Sequence, residues 1–343
     1  MASLVYFATN RNAIAGPVAN NFGTDFSADG SISFGRATIT SVKDESELGN
    51  SNLSIEAVST GAFQTPLRNE IVNNPSSHLL VYCHGFDYRF REVLMRAAFV
   101  GDWLSKGKPS VRSTLLAFSW PSLGSLSPDA YKTDYRSAGL SGGAFRSFLQ
   151  AILPILVDYK KGGSGRRVTL MAHSLGNHFL RSGLAAAVGS GPGQIPATDL
   201  KAVFDRVVLA ASDEDVDSLS RPDGLGIALS ICERVYLYYN QQDIPLNTVS
   251  RIANGITRLG VAGPPDKPSF AGHNISFINC SAANPFTDKK KEIRLDPQWH
   301  QYYRLVPEVR NDICGVLLGL ADDAMSNRTY RKKDNYYRLD LAK

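Results

Sequence analysis

Eight short runs along the chain are dense in apolar and β-branched residues: LVYFAT (4–9), SISFGRATIT (31–40), LLVYCHG (79–85), TLLAFSW (114–120), RRVTLMAH (166–173), RVVLAAS (206–212), RVYLYYN (234–240) and NISFINCS (274–281). Most of those beyond residue 79 are continuously apolar instead of alternating, the pattern of parallel strands covered on both faces. Between them lie helix-length segments: 90–107, Tyr131 to Tyr159, 176–190 and 246–256. Strand and helix alternate, which predicts an α/β fold with a mostly parallel, doubly wound sheet and helices on both faces. The first 60 or so residues add extra strands, expected to be antiparallel. KKGGSGRR and GSGPGQIP punctuate helix ends. Neither cradles a phosphate, because the glycines precede a strand instead of opening a helix. With no internal repeat and no low-complexity linker, one domain is expected over 1–343: an N-terminal strand extension (1–62), a core (63–320) and a basic, Tyr-rich C-terminal segment (321–343).

The stretch VTLMAHSLGNHFL (168–180) carries the most specific local signal. A strand that ends in small-x-Ser-x-Gly and passes at once into a helix is the shape of a nucleophile elbow. The serine occupies a tight turn with its side chain clear of both flanking segments, so the positions two before and two after must be small. Ala172 and Gly176 meet that demand for Ser174.

In an open α/β sheet the functional crevice lies at the carboxyl ends of the strands. There the chain places His84-Gly85-Phe86-Asp87, Ser119-Trp120-Pro121-Ser122, Ser174, Asp213-Glu214-Asp215 and Gln241-Gln242-Asp243, and Trp299-His300-Gln301-Tyr302-Tyr303 precedes a last helix-like stretch at 307–319. The order Ser, Asp, His suits acyl transfer. A serine hydroxyl is a poor nucleophile until an imidazole takes its proton, and a buried carboxylate then holds the imidazole tautomer. His300 is the expected base and Asp243 the expected acid, with Asp213 the alternative acid. The N–H groups of Leu175 and Phe86 are the expected oxyanion donors.

Among the other histidines, His84 reads as a loop-shaping hydrogen bonder next to Gly85, and His173 as structural support inside the elbow. His273 precedes a strand, the wrong end of the sheet for a base. His78 and His178 read as surface or packing residues. His84, Gly85, Trp120 and Tyr302 are the candidate substrate-binding residues, although Trp120 serves equally as a core residue capping the sheet. The loop PSLGSLSPDAY and the Pro/Gly-rich 260–273 are candidates for a pocket wall and a cap. Phe86, Tyr88, Trp120 and Tyr302 together suggest an apolar, aromatic-lined entrance.

Composition narrows the alternatives. A hydrophobic fraction of 43% with 20% charged residues is that of an ordinary globular protein. A formal charge of +5 over 343 residues, without a basic binding motif, argues against nucleic acid. The basic, Tyr-rich tail 328–343 reads as a packed, partly solvated end, with a role at an anionic surface as its alternative. No run reaches the roughly 18 apolar residues of a membrane span. Cys83, Cys232, Cys280 and Cys314 are widely spaced, which suggests buried free thiols instead of a zinc or disulfide framework. With no signal-peptide pattern at the start, they point to the cytoplasm. The acidic cluster DEDVD lacks the spacing of a calcium loop. No metal and no cofactor are expected, the oligomeric state is open, and the partner is a small-molecule ester.

The set YFATNRN, FGRATIT, VYCHGFDYRF, FSWPS, a following Tyr131…Asp134…Ser137, AHSLGN, VVLAASDEDVD, YLYYNQQDIPL, RLG (258–260) and WHQYY resembles a family of bacterial α/β-hydrolases of unknown function within the esterase/lipase superfamily, over about residues 4–320. The resemblance implies an α/β-hydrolase fold with Ser174 as nucleophile, Asp243 as acid and His300 as base, and names no substrate. Three readings of the activity follow: an esterase, an acyltransferase or thioesterase with the same residues, or a non-catalytic binding module on the same fold.

Overall fold

The computed structural model describes residues 3–14, 21–40, 52–58, 60–73, 78–111, 113–163, 165–283 and 300–341. Trp299 of the WHQYY motif lies outside them. The strands are β1 (Ser3–Thr9), β2 (Arg11–Ala13), β3 (Phe22–Phe26), β4 (Ser33–Thr40), β5 (Asn52–Val58), β6 (His78–Cys83), β7 (Ser113–Ser119), β8 (Arg167–His173), β9 (Arg206–Ala210), β10 (Arg234–Tyr239), β11 (Ile275–Asn279), β12 (Arg328–Arg331) and β13 (Tyr336–Leu339). The helices are α1 (Thr60–Asn73), α2 (Phe90–Gly107), α3 (Pro128–Leu140), α4 (Gly142–Lys161), α5 (Gly176–Ala187), α6 (Ala197–Lys201), α7 (Arg251–Asn254), α8 (Leu259–Ala262), α9 (Tyr302–Leu305) and α10 (Pro307–Leu317).

Eleven strands form one sheet in the order β12-β13-β11-β10-β9-β8-β6-β7-β1-β4-β5, while β2 and β3 make a separate ribbon. From β1 to β13 every pairing across the middle of the sheet is parallel. The edges β4, β5 and β12 pair antiparallel to their neighbours. All eight expected strands are present. The continuous apolar runs are explained by burial on both sides. Leu79, Val81, Leu170 and Leu209 pack under α4 and α5, whereas Leu80, Tyr82, Met171 and Val208 pack under α2 and α10. Adjacent residues of one strand thus feed opposite cores.

Three differences from the sequence reading have clear causes. The expected helix from Tyr131 to Tyr159 is two helices bent by 47°. The break falls at Ser141, and the second helix opens at Gly142, where a β-carbon would stand 2.6 Å from the Ser182 carbonyl oxygen. The N-terminal run is only partly antiparallel, because β1 lies inside the sheet, parallel to β7. The tail is a β-hairpin that extends the sheet past β11. Its register residue is Arg328, whose guanidinium bonds Asp312 at 2.7 Å and pairs with Asp322, with only 1% of its side chain exposed. Among the described residues no single helix is long and apolar enough to cross a membrane. The bent pair α3 and α4 passes on length and composition, but α4 buries Phe145, Phe148 and Ile152 in the core.

β6 has β7 on one side and β8 on the other, so the chain leaves its carboxyl end in one direction and returns from the other. The crevice at such a switch point is where α/β sheets bind ligands. The loop after β6 carries Gly85 and Phe86, and the turn after β8 carries Ser174.

Arg328→Met should leave Asp312 and Asp322 buried without their shared cation and lower stability by about 3–5 kcal/mol. Urea denaturation of the variant beside wild type measures this.

Candidate active site

Ser174 sits between β8 and α5 with φ +55°, a left-handed conformation that a side chain normally avoids. Hydrogen bonds hold it there. The Ser174 N–H donates to Ala210 O at 3.0 Å, and Ser174 O accepts from Asp213 N at 3.1 Å and from the Asn177 side chain at 3.0 Å. The small flanking residues are needed because backbones meet at this point. A β-carbon on Gly176 would lie 2.5 Å from His84 O and 2.6 Å from Cys83 O, and one on Gly85 would lie 2.9 Å from the Ser174 β-carbon.

The Ser174 hydroxyl is 2.7 Å from His300 Nε2, and His300 Nδ1 is 2.7 Å from Asp243 Oδ2. Asp243 is fully buried and His300 nearly so. Burial pushes the Asp243 carboxyl above the usual carboxylate range, opposed by His300 and by the Leu246 N–H that bonds Oδ1 at 3.1 Å. His300 follows β11 and residues 284–299, and reaches the crevice just ahead of α9. His173 Nε2 donates to the His300 carbonyl at 3.3 Å, and its ring packs 4.7 Å from that of His300 and 4.4 Å from that of Tyr303. Burial holds His173 neutral, well below the usual histidine range. It braces the backbone of His300.

The Leu175 N–H, at the start of α5, and the Phe86 N–H, beside Gly85, donate to no acceptor among the described residues. A cleft of about 580 Å³ opens over Ser174, lined among others by Phe86, Tyr88, Leu126, Tyr131, Leu246 and Val249. Phe86, Ser174 and His300 line one concave site, and Leu175 follows the serine directly, an arrangement able to attack a carbonyl.

Asp213 also lines the cleft, but its carboxylate is engaged elsewhere. It accepts from Arg258 Nε at 2.8 Å, from the Tyr131 hydroxyl at 3.0 Å and from the Ser250 hydroxyl. The structure sets His300 against Asp243 and not against Asp213. Sequence reading missed Tyr131, Ser250 and the fully buried Arg258 as a group. Tyr131 and the arginine of RLG were both among the motifs of the family resemblance, but a sequence pattern cannot pair either with a carboxylate 82 or 45 residues away.

Three expected substrate-binding residues do not face the cleft. Trp120 is fully buried, its indole N–H donating to His84 O at 3.1 Å and its ring stacked 4.5 Å from His84. His84 donates from Nδ1 to Gly85 O at 2.8 Å and shapes the loop from behind. Burial keeps it neutral. Tyr302 lies under the strand ends, accepting from Ala211 N at 3.1 Å and donating to Tyr238 O at 2.8 Å. An aromatic needs a partner for its polar atom when buried, and these two find it in the backbone instead of at the site. The entrance is lined by Phe86 and Tyr88 with aliphatic residues. His78 is buried at the start of β6, His178 bonds Glu214 at 2.6 Å, and His273 is exposed ahead of β11. None of the three is near Ser174 in the hydrogen-bonded chain. Among the described residues no cluster of metal-ligand type occurs.

Asp87 adjoins the Phe86 N–H with φ +67°. Burial, reinforced by Glu92 and Asp134, raises its carboxyl to about 6. The folded protein therefore holds this proton more tightly than the unfolded chain does, and stability falls as pH rises from about 4 through about 6. Asparagine is neutral and tolerates the left-handed backbone. Asp87→Asn should raise stability near pH 8 by about 1–2 kcal/mol, discounted for partial exposure, and change it little near pH 4. Paired urea titrations at the two pH values read the difference. Gly176→Ala should destabilise by about 1–3 kcal/mol or more through the collision with the Cys83 and His84 carbonyls, visible as a lowered Tm.

Comparison with known proteins places this geometry in a family. No curated protein matches the chain in sequence. Among solved structures, an acetyl xylan esterase aligns with TM-score 0.31 and 12% identity, over 71% of this chain and 96% of that one. The phospholipase PlaB from Legionella pneumophila, in complex with thio-NAD, aligns with TM-score 0.30 and 13% identity, over 54% and 44%. The Trichoderma reesei cutinase, in complex with a phosphonate inhibitor, gives TM-score 0.27 and 10% identity, over 60% and 85%. These are distant likenesses. The family model for "Alpha/beta hydrolase of unknown function (DUF900)" matches residues 59–310, from α1 to α10, and the chain belongs to that alpha/beta hydrolase family.

Proposed function

We propose that the protein is a serine hydrolase that cleaves a carboxylic ester through an acyl-Ser174 intermediate, with no cofactor. The observation that carries this reading is the unbroken chain Ser174 Oγ, His300 and Asp243, with 2.7 Å at each link. His300 Nε2 takes the serine proton as Oγ attacks the ester carbonyl carbon, and the carbonyl oxygen becomes an oxyanion bound by the Leu175 and Phe86 N–H groups. Collapse expels the alcohol, protonated by the imidazolium. Water then adds to the acyl carbon with His300 again as base, and the carboxylic acid departs as Ser174 recovers its proton. Asp243 holds the Nδ1–H tautomer and stabilises the imidazolium.

The walls support a substrate with at least one apolar group, since Phe86, Leu126, Pro245, Leu246 and Val249 surround the cleft. A cytoplasmic setting is part of the proposal and rests on the four cysteines, all free and buried. A binding module without chemistry has no use for a strained serine held against an imidazole and a buried carboxylate, and that favours the enzyme.

The test is intact-mass labelling with a fluorophosphonate, together with turnover of p-nitrophenyl esters of rising chain length. Wild type should take one adduct and Ser174→Ala none. His300→Ala and Asp243→Asn should each lower kcat by about 10⁴-fold or more. A folded wild-type protein that neither labels nor turns over any ester overturns the reading.

A further inference from the structure

Eleven large apolar side chains are exposed among the described residues, and five of them are Leu126, Ile244, Val249, Ile252 and Ile256. Leu126 and Val249 also line the cavity over Ser174. Four of the five follow Asp243, and three of these, Ile244, Val249 and Ile252, lie in a helical segment. It runs through a π-turn at Leu246–Ser250, closed by the Arg251 N–H on Leu246 O, into α7. Ile244 precedes that turn, Val249 lies in it, Ile252 lies in α7, and Ile256 follows Gly255, the left-handed residue that ends the helix.

The segment presents several large apolar side chains to solvent although it is tied to the body of the protein by polar ones. Three of its polar side chains bond inward, Asp243 to His300, Ser250 to Tyr131 and Asp213, and Asn254 to the Tyr131 hydroxyl at 2.9 Å, while Gln241, Gln242, Thr248 and Arg251 are exposed. Its isoleucines point outward, and Ile252 is 82% exposed. A surface helix normally buries its apolar stripe, so an outward stripe anchored by inward polar bonds marks a face that meets something apolar.

We propose that this face, Gln241 to Thr257 with Leu126, docks on the surface of a lipid bilayer, and that the ester enters the cleft from that surface. Three observations choose this occupant. The first is charge: of the exposed residues between 241 and 257, Arg251 alone is ionisable, so this stretch carries no exposed carboxylate to repel a phospholipid surface and one cation to favour an anionic one. The second is area. Five side chains expose on the order of a few hundred Å², short of the roughly 800 Å² per partner of a stable protein interface, whereas shallow insertion of an amphipathic helix requires no such minimum. The third is continuity: Leu126 and Val249 carry the apolar face without interruption into the cleft of Ser174. The substrate class is then a water-insoluble ester resident in the bilayer. This extends the hydrolase reading and depends on it only for the chemistry at Ser174.

The test uses the full chain and the double variant Ile252→Ser, Ile256→Ser, both positions exposed and outside the cleft lining. Co-sedimentation with sucrose-loaded vesicles of phosphatidylcholine containing a minority of phosphatidylglycerol should show wild type bound and the variant weakened at least about tenfold. Turnover of p-nitrophenyl acetate should be equal in the two proteins, while turnover of a long-chain p-nitrophenyl ester embedded in the vesicles should fall at least about tenfold in the variant. Equal Tm values exclude unfolding as the cause. Wild type that stays in the supernatant overturns the proposal, as does equal binding of the variant. So does a wild-type dimer that the double variant converts to monomer without vesicle binding, since a second copy is then the occupant. Fluorophosphonate labelling of Ser174 is read separately. Labelling without vesicle binding removes the docking face and leaves the hydrolase, and binding without labelling does the reverse.

Discussion

Two backbones meet at van der Waals distance behind Ser174, and the rest of the site depends on that meeting. The loop after β6 passes so close to the start of α5 that a single β-carbon at Gly176 would strike two carbonyl oxygens, at 2.5 and 2.6 Å. Only with both Gly85 and Gly176 lacking side chains can the loop that carries Phe86 lie this close to Ser174 and the start of α5. The strained φ of Ser174 belongs to the same constraint, because the chain must reverse from strand to helix within one residue. Strain of this kind persists only where neighbours over-determine it. Here bonds from β9 and from Asn177 do so.

The carboxylates at the crevice illustrate how the surroundings divide similar groups. Asp243 is buried beside one histidine and one backbone N–H, so its charge acts mainly through His300. Asp213 is surrounded by Arg258, Tyr131 and Ser250, and its charge is spent on holding elements together. That second network fastens the segment after Asp243 to the body of the protein through its polar side. It thereby steadies Asp243 and leaves the isoleucines of the segment outward, so one set of hydrogen bonds bears on both the cleft and the exposed surface beyond it. The far end of the sheet shows the same economy in Arg328, which joins α10 and the turn before β12 to the terminal hairpin.

Much of this was legible in the chain itself. Continuous apolar runs of strand length mark both-face burial, so the parallel sheet follows from local pattern alone, and all the strands read this way are present. The elbow was legible because its demand for small residues acts within five positions of Ser174. The order of serine, acid and histidine along the chain follows from strand order, since each element ends at the same edge of the sheet. The short polar strands were not legible: β5 is NLSIEAV and β12 is RTYR, and such segments become strands only when a neighbouring edge offers its hydrogen bonds.

The residues around the cleft mark where sequence stops. Trp120 and Tyr302 follow or approach strand ends just as Phe86 does, yet the first two turn into the core to satisfy an N–H and an O–H while Phe86 faces the cleft. Nothing within a few positions of either residue distinguishes these outcomes. The sequence by itself determined the sheet, the elbow and the residue types available for the chemistry, because each follows from hydrogen bonding and sterics among near neighbours. Only the tertiary structure decided which carboxylate meets His300, which aromatics line the entrance and which face of the Asp243 segment meets solvent. Those outcomes depend on partners tens or hundreds of residues away, brought within 3 Å by the packing of the whole sheet.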